Sequence, residues 1–281
     1  MALSPLESGF ASLWKATLDK FKAFNGQITG QGSTPLILLH GFGTDQTAWH
    51  HIRPELEADF RVISFDLAGA GPNGAATYDR HRHRSVYGFA DDLVDILDDL
   101  GLQDCIYVGH SMSGMIGTTA AVTRPDLFRS LVMIGASPRY LNDDGYVGGF
   151  EPEHLKSLFD SMAANFQAWG AGFVPAVVGM PDNAAIEEFS RTLFQMRPDI
   201  ALSIAQTIFQ SDMREVASKL NRPTTIIQTK ADFAVPMAVA EWLNQHIQGS
   251  TLDVVDAQGH LPHMTAPREV LKALKKSLPS Q

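Results

Sequence analysis

The sequence contains a single cysteine, Cys105, so no disulfide can form within the chain. That residue stands in the apolar run Cys105 to Val108, which predicts a small buried hydrophobe. Positive charge is also in deficit, with 22 Lys and Arg against 31 Asp and Glu and a net charge of -9. A chain of that sign repels phosphate backbones and anionic lipid, so neither nucleic acid nor a membrane surface is an expected partner. Apolar runs fall short of the roughly 18 residues a membrane span needs. The N-terminal residues lack a basic region followed by an apolar core and a cleavage site, and the expected location is the cytoplasm. Internal repeats and low-complexity tracts are missing as well. What remains is 281 residues at 44% hydrophobic and 19% charged, the composition of a folded domain held by buried apolar surface.

Short runs rich in Val, Ile and Leu recur at Pro35 to Leu39, Arg61 to Phe65, Cys105 to Val108, Leu131 to Ile134, Thr224 to Gln228 and Leu252 to Val255. These read as buried strands. Helical spacing follows several of them, at Tyr87 to Leu100, Met112 to Val122, Met237 to Ile247 and Arg268 to Leu278. Alternation of this kind predicts an α/β fold with a mostly parallel, doubly wound sheet. From residue 137 to residue 212 the alternation stops, and four helical segments separated by Gly and Pro predict a helical insert. Phe159, Met162, Phe166, Trp169 and Phe173 share one helical face there, as either core packing or a cap requires. The expected organisation is therefore a core of residues 25–136 and 213–281, a lid at 137–212 and an extension at 1–24. Within that extension Phe10, Leu13, Trp14, Leu18 and Phe21 predict an amphipathic helix over 8–21, packed on the body as a flap, with contact to a partner or a membrane as the alternative.

The segment Gly109-His110-Ser111-Met112-Ser113-Gly114 lies between a predicted strand and a predicted helix, the context of a nucleophile elbow. Ser113 stands where the usual pattern has its last glycine. Asp232 follows the predicted strand Thr224 to Gln228, and His260 follows Leu252 to Val255. Ser111, Asp232 and His260 thus reach the carboxyl edge of a parallel sheet, where ligands bind, and their chain order is the one this architecture uses. A serine hydroxyl needs a neutral imidazole to take its proton and a buried carboxylate to hold the imidazole. His263 is the competing base, set a further turn from the strand. The backbone N–H groups of Met112 and Phe42 are the expected oxyanion donors, the latter in the loop His40-Gly41-Phe42-Gly43. His81 and His83 alternate with Arg80, Arg82 and Arg84, whose charge opposes a cation, so a solvated loop is expected there. Neither a metal nor a cofactor is called for.

Beyond the elbow, the stretches His40 to Gln46, Gly135 to Asp143, Gly148 to Phe150, Phe189 to Phe194, Met196 to Asp199 and Gly259 to His263 resemble one branch of the α/β-hydrolases. That branch holds the bacterial stress regulator RsbQ and the plant strigolactone and karrikin receptors. The resemblance covers the chain from about residue 25. It implies a V-shaped lid of four helices over a hydrophobic pocket floored by Ser111 and lined by Phe42, Tyr140, Phe150, Trp169, Phe173 and Phe209. It also implies a compact apolar ester or lactone of butenolide type as substrate, slow turnover, and a signalling protein that reads the lid. In a plant the location would extend to the nucleus. Phe233 after the acid and Met112 after the serine depart from the usual members and predict a different pocket shape. Carbon–carbon cleavage by the same triad has no residue in its favour, and dehalogenase or epoxide chemistry would need an aspartate at Ser111.

Overall fold

A computed structural model describes residues 20–279. The seven-stranded sheet has the spatial order β1-β3-β2-β4-β5-β6-β7. Its strands are β1 (Gln27–Thr29), β2 (Pro35–Leu39), β3 (Arg61–Ser64), β4 (Cys105–His110), β5 (Phe128–Ile134), β6 (Thr224–Ala231) and β7 (Thr251–Gln258). Every pairing is parallel except that of β1, which runs antiparallel on β3.

The central strands are apolar on both faces because helices cover both. Along β2, Ile37 and Leu39 enter one core layer, with Tyr107, Met115 and Ile116. Leu36 and Leu38 enter the other, against Trp49, Ile52, Val270 and Leu274. The longer helices are α1 (Val86–Asp99), α2 (Met112–Thr123), α3 (Pro152–Ala164), α4 (Phe166–Val178), α5 (Asn183–Gln195), α6 (Pro198–Phe209), α7 (Met237–His246) and α8 (Pro267–Ser277). Helices α1 and α2 pack on the first layer, while α8 closes the second. α8 starts on a proline, with Glu269 in its first turn and Lys275 and Lys276 in its last, so its charges oppose the helix dipole.

The connection from β5 to β6 carries the four helices α3 to α6, over the segment where the sequence predicts a lid. Hydrogen-bonding caps fix two of its helix starts: Asn165 accepts from the Ala168 N–H, and Asp182 from the Ala185 N–H. Of the amphipathic segment at 8–21, all but Lys20 and Phe21 lie outside the described residues; Phe21 is buried. Cys105 is buried, as its apolar surroundings predict.

One expectation fails here. His83 is not in a solvated loop but is fully buried, its Nε2 donating to Asp92 Oδ2 at 2.7 Å and its Nδ1 accepting from the Asp79 N–H at 2.9 Å. The arginines around it mask a core histidine whose partner lies on α1.

Candidate active site

Strand β4 ends at His110, and helix α2 begins at Met112, so the chain must reverse within Ser111. The serine accordingly has φ 55 and ψ -122, a strained conformation for a residue with a side chain. Helix α2 can then cross close to β5 only because Gly114 has no side chain, since a Cβ there would lie 2.4 Å from that of Ala136. Ser113 is accommodated where a glycine is usual because its Oγ donates to the His40 carbonyl at 2.5 Å.

His260 Nε2 lies 2.8 Å from Ser111 Oγ, and His260 Nδ1 lies 2.8 Å from Asp232 Oδ2. The other carboxylate oxygen, Oδ1, accepts from the backbone N–H groups of Ala234 at 2.8 Å and Val235 at 3.0 Å. One face of the carboxylate is thus anchored to backbone and the other is left for the imidazole. With Nδ1–H donating to Asp232, Nε2 presents a lone pair to the serine hydroxyl, which is the tautomer a general base needs. His263 does not reach the serine; it is buried between Trp49 and His110, with ring centroids 4.6 and 4.5 Å away. His110 donates from Nε2 to the His260 carbonyl at 2.7 Å, and burial pushes its pKa well below the ordinary value.

The loop after β2 runs beside Ser111, so closely that a Cβ on Gly41 would stand 3.0 Å from that of the serine. His40 shapes this loop from within, Nδ1 donating to the Gly41 carbonyl at 2.8 Å and Nε2 accepting from the Leu67 N–H at 2.9 Å. From the lid, the Thr192 hydroxyl on α5 donates to the Gly43 carbonyl at 2.8 Å. Phe42 and Met112 therefore flank the serine from the loop and from the helix start.

Above Ser111 lies a cavity lined by Phe42, Tyr140, Phe173 and Phe209, together with Phe189 and Ala234. Only about 20 Å³ of it is open to the centre of a water molecule. The Tyr140 hydroxyl intrudes to 3.5 Å from Ser111 Oγ, and burial raises its pKa. Phe150 and Trp169 do not line this cavity. They line an open outer cleft of about 540 Å³ together with Phe173 and Phe233. Trp169 stacks on Phe173 at 4.5 Å, so one turn of α4 separates the cleft from the cavity. Sequence reasoning missed Phe189, although it opens one of the stretches quoted above; only the docking of α5 on the Gly43 loop reveals its direction.

A strand-turn-helix serine, hydrogen-bonded through a histidine to an aspartate at the carboxyl edge of such a sheet, defines the class, and the sequence agrees. Residues 34–267 match the α/β hydrolase fold family, and the chain belongs to it. It is 48% identical over 260 residues to a probable esterase of rice, Oryza sativa subsp. japonica, covering 92% of this chain and 96% of that protein. It is 46% identical over 259 residues to a strigolactone esterase of Arabidopsis thaliana, covering 92% and 97%. A solved hydrolase from Oleispira antarctica is 33% identical, with a TM-score of 0.90 over 92% of this chain and 96% of that one. The described residues contain no helix long and apolar enough to cross a membrane.

Proposed function

We propose that the chain is a serine hydrolase of small hydrophobic esters or lactones. Ser111 is the nucleophile, His260 the general base and then acid, and Asp232 the group that holds the imidazole. The observation that carries this reading is the unbroken relay from Asp232 through His260 to Ser111, with both contacts at 2.8 Å. As Oγ attacks the carbonyl, its proton passes to His260 Nε2, and the imidazolium formed is stabilised by Asp232. The Phe42 and Met112 N–H groups receive the oxyanion, and the protonated His260 then delivers its proton to the leaving oxygen. Water repeats the sequence on the acyl-enzyme.

Butenolide-type lactones fit as substrates on two grounds. A relative 46% identical is named a strigolactone esterase, and the aromatic cavity suits a compact apolar ring. The same cavity is too tight for such a ring as it stands, so α3 to α6 must move for substrate to enter. That requirement supports a second reading, a receptor whose lid movement is read by a protein partner, with slow hydrolysis as its timer.

Turnover of p-nitrophenyl acetate by wild type and Ser111→Ala tests the first reading. The variant should lose about 10⁴-fold or more in kcat; undiminished turnover rejects it. A synthetic butenolide that neither shifts the melting temperature of Ser111→Ala nor is cleaved by wild type rejects the lactone assignment.

A further inference from the structure

A second cluster of ligating side chains lies outside the cavity, where the lid meets the core. His50 and His51 follow the turn Gln46–Trp49 on the core side, and Glu188 faces them from α5. We propose that these three side chains form a binding site for a divalent transition-metal ion such as zinc, which staples the lid to the core.

Glu188 reaches both imidazoles, one with each carboxylate oxygen, at close to the spacing of ligands around one ion. His50 Nδ1 lies 3.2 Å from Glu188 Oε1, and His51 Nε2 lies 3.5 Å from Glu188 Oε2. Ligand atoms about 2.1 Å from a tetrahedral zinc ion stand roughly 3.4 Å apart, and imidazole with carboxylate is a donor set that zinc accepts. One ligand atom from each of the three residues falls within 4.8 Å of the others.

A second observation points the same way. Glu188 Oε1 is buried and has no hydrogen-bond donor. His50 Nδ1 is near enough, but its proton is directed to the Thr47 carbonyl at 2.7 Å. A buried carboxylate oxygen without a donor is a costly arrangement that a cation resolves. The imidazoles lead to the same conclusion, since their centroids are only 3.7 Å apart. Two such rings repel when both are protonated, whereas a metal ion takes both in the neutral form.

Metal binding would transfer the His50 ring proton from Nδ1 to Nε2 and turn the ring, so that the freed Nδ1 lone pair swings from the Thr47 carbonyl to the ion. The Thr47 carbonyl loses that donor but keeps the His50 backbone N–H at 3.0 Å. The site opens on a cleft of about 510 Å³ lined by Thr47, His50, Glu187, Glu188 and Arg191. Water can enter there as a fourth ligand. Glu187 adds negative charge at the rim, and Arg191 is the one cation in that lining.

Tag-free full chain should bind one zinc ion in equilibrium dialysis, with a melting temperature that rises with zinc concentration. Cobalt(II) in its place should give the intense visible bands of a four-coordinate site. Glu188→Gln and His51→Gln, each melting near wild type without metal, should lose the bound ion and the cobalt bands. Wild type that binds no zinc, or variants that bind it as wild type does, would overturn the assignment. Every readout is of binding, so failure of this site and failure of the serine hydrolase reading are separate results.

Discussion

The backbone N–H of His260 donates to the carbonyl of Val177 at 2.8 Å, so the last turn of lid helix α4 is hydrogen-bonded to the residue that faces Ser111. Gly259 makes this contact feasible. Its φ is 82, and a Cβ there would stand 1.9 Å from the Val178 carbonyl oxygen. Lid position and histidine position are therefore linked through backbone, not through a side chain that could swing away.

Gly259→Ala should accordingly damage both. A non-glycine residue in left-handed backbone costs about 1–2 kcal/mol, and the overlap with Val178 must in addition push α4 off the loop. We expect a fall in melting temperature and a drop in kcat of roughly tenfold or more, since small displacements of a catalytic group cost rates of that order. Gly101→Ala is the control, because φ there is 62 and a Cβ would meet nothing within 4 Å. It should lose stability while keeping turnover. Equal activity loss in both variants would dissociate the lid contact from catalysis.

Asp232→Asn separates orientation from packing. The amide oxygen can keep the two backbone N–H groups of Ala234 and Val235, which leaves the NH₂ facing His260. A donor there forces Nδ1 to accept, places the imidazole proton on Nε2, and removes the lone pair that Ser111 needs. The expected loss is about 10⁴-fold in kcat, with little change in KM or in the unfolding midpoint.

How far the sequence reached is clear from such residues. Strands β2 to β6 were legible because burial on both faces demands continuous apolar runs, as in the Leu36 to Leu39 stretch of β2. Strand β1 was not, since Gln27–Thr29 is three residues at a sheet edge, the first two exposed and the third half-buried. Strand β7 extends through polar Asp256 and Gln258, beyond the apolar core that marked it. Helical periodicity identified the inward face of α4 but not depth along it, so Trp169 and Phe173 looked equivalent. Only tertiary placement confines Trp169 to the outer cleft while Phe173 lines both the cleft and the cavity. His50, His51 and Glu188 could not be joined from sequence, because the lid must first fold back over the core.

Phe209→Ala tests whether cavity size limits the substrate. The ring packs on Tyr140 at 4.8 Å and Phe150 at 5.6 Å, so its removal opens the cavity toward the outer cleft. Truncating a buried phenylalanine costs about 3–5 kcal/mol, and the variant should melt measurably lower. Against that loss, kcat/KM for a bulky ester relative to p-nitrophenyl acetate should rise severalfold. A series of p-nitrophenyl esters of increasing acyl length reads the ratio directly. An unchanged preference would place the size limit in lid opening rather than in the cavity.

Acid sensitivity should come in part from the histidines behind His260. Burial first, and then the nearby His260, push His263 down to about 3 from an ordinary 6.5, and neither of its ring nitrogens has a hydrogen-bond partner. The folded chain therefore keeps His263 neutral while the unfolded chain takes up a proton below pH 6.5. Stability from this group is full above that pH and is lost as pH falls from 6.5 toward 3, at about 1.4 kcal/mol per unit. His110, depressed by the same burial, adds to the loss in the same direction. Urea unfolding at pH 7.5 and pH 4.5 measures the difference. In His263→Phe the apolar ring retains the contact with Trp49 and removes two unpartnered nitrogens, so stability at pH 7.5 should hold or rise, and the fall toward pH 4.5 should be shallower than in wild type. An equally steep fall would assign the acid sensitivity to the carboxylates instead.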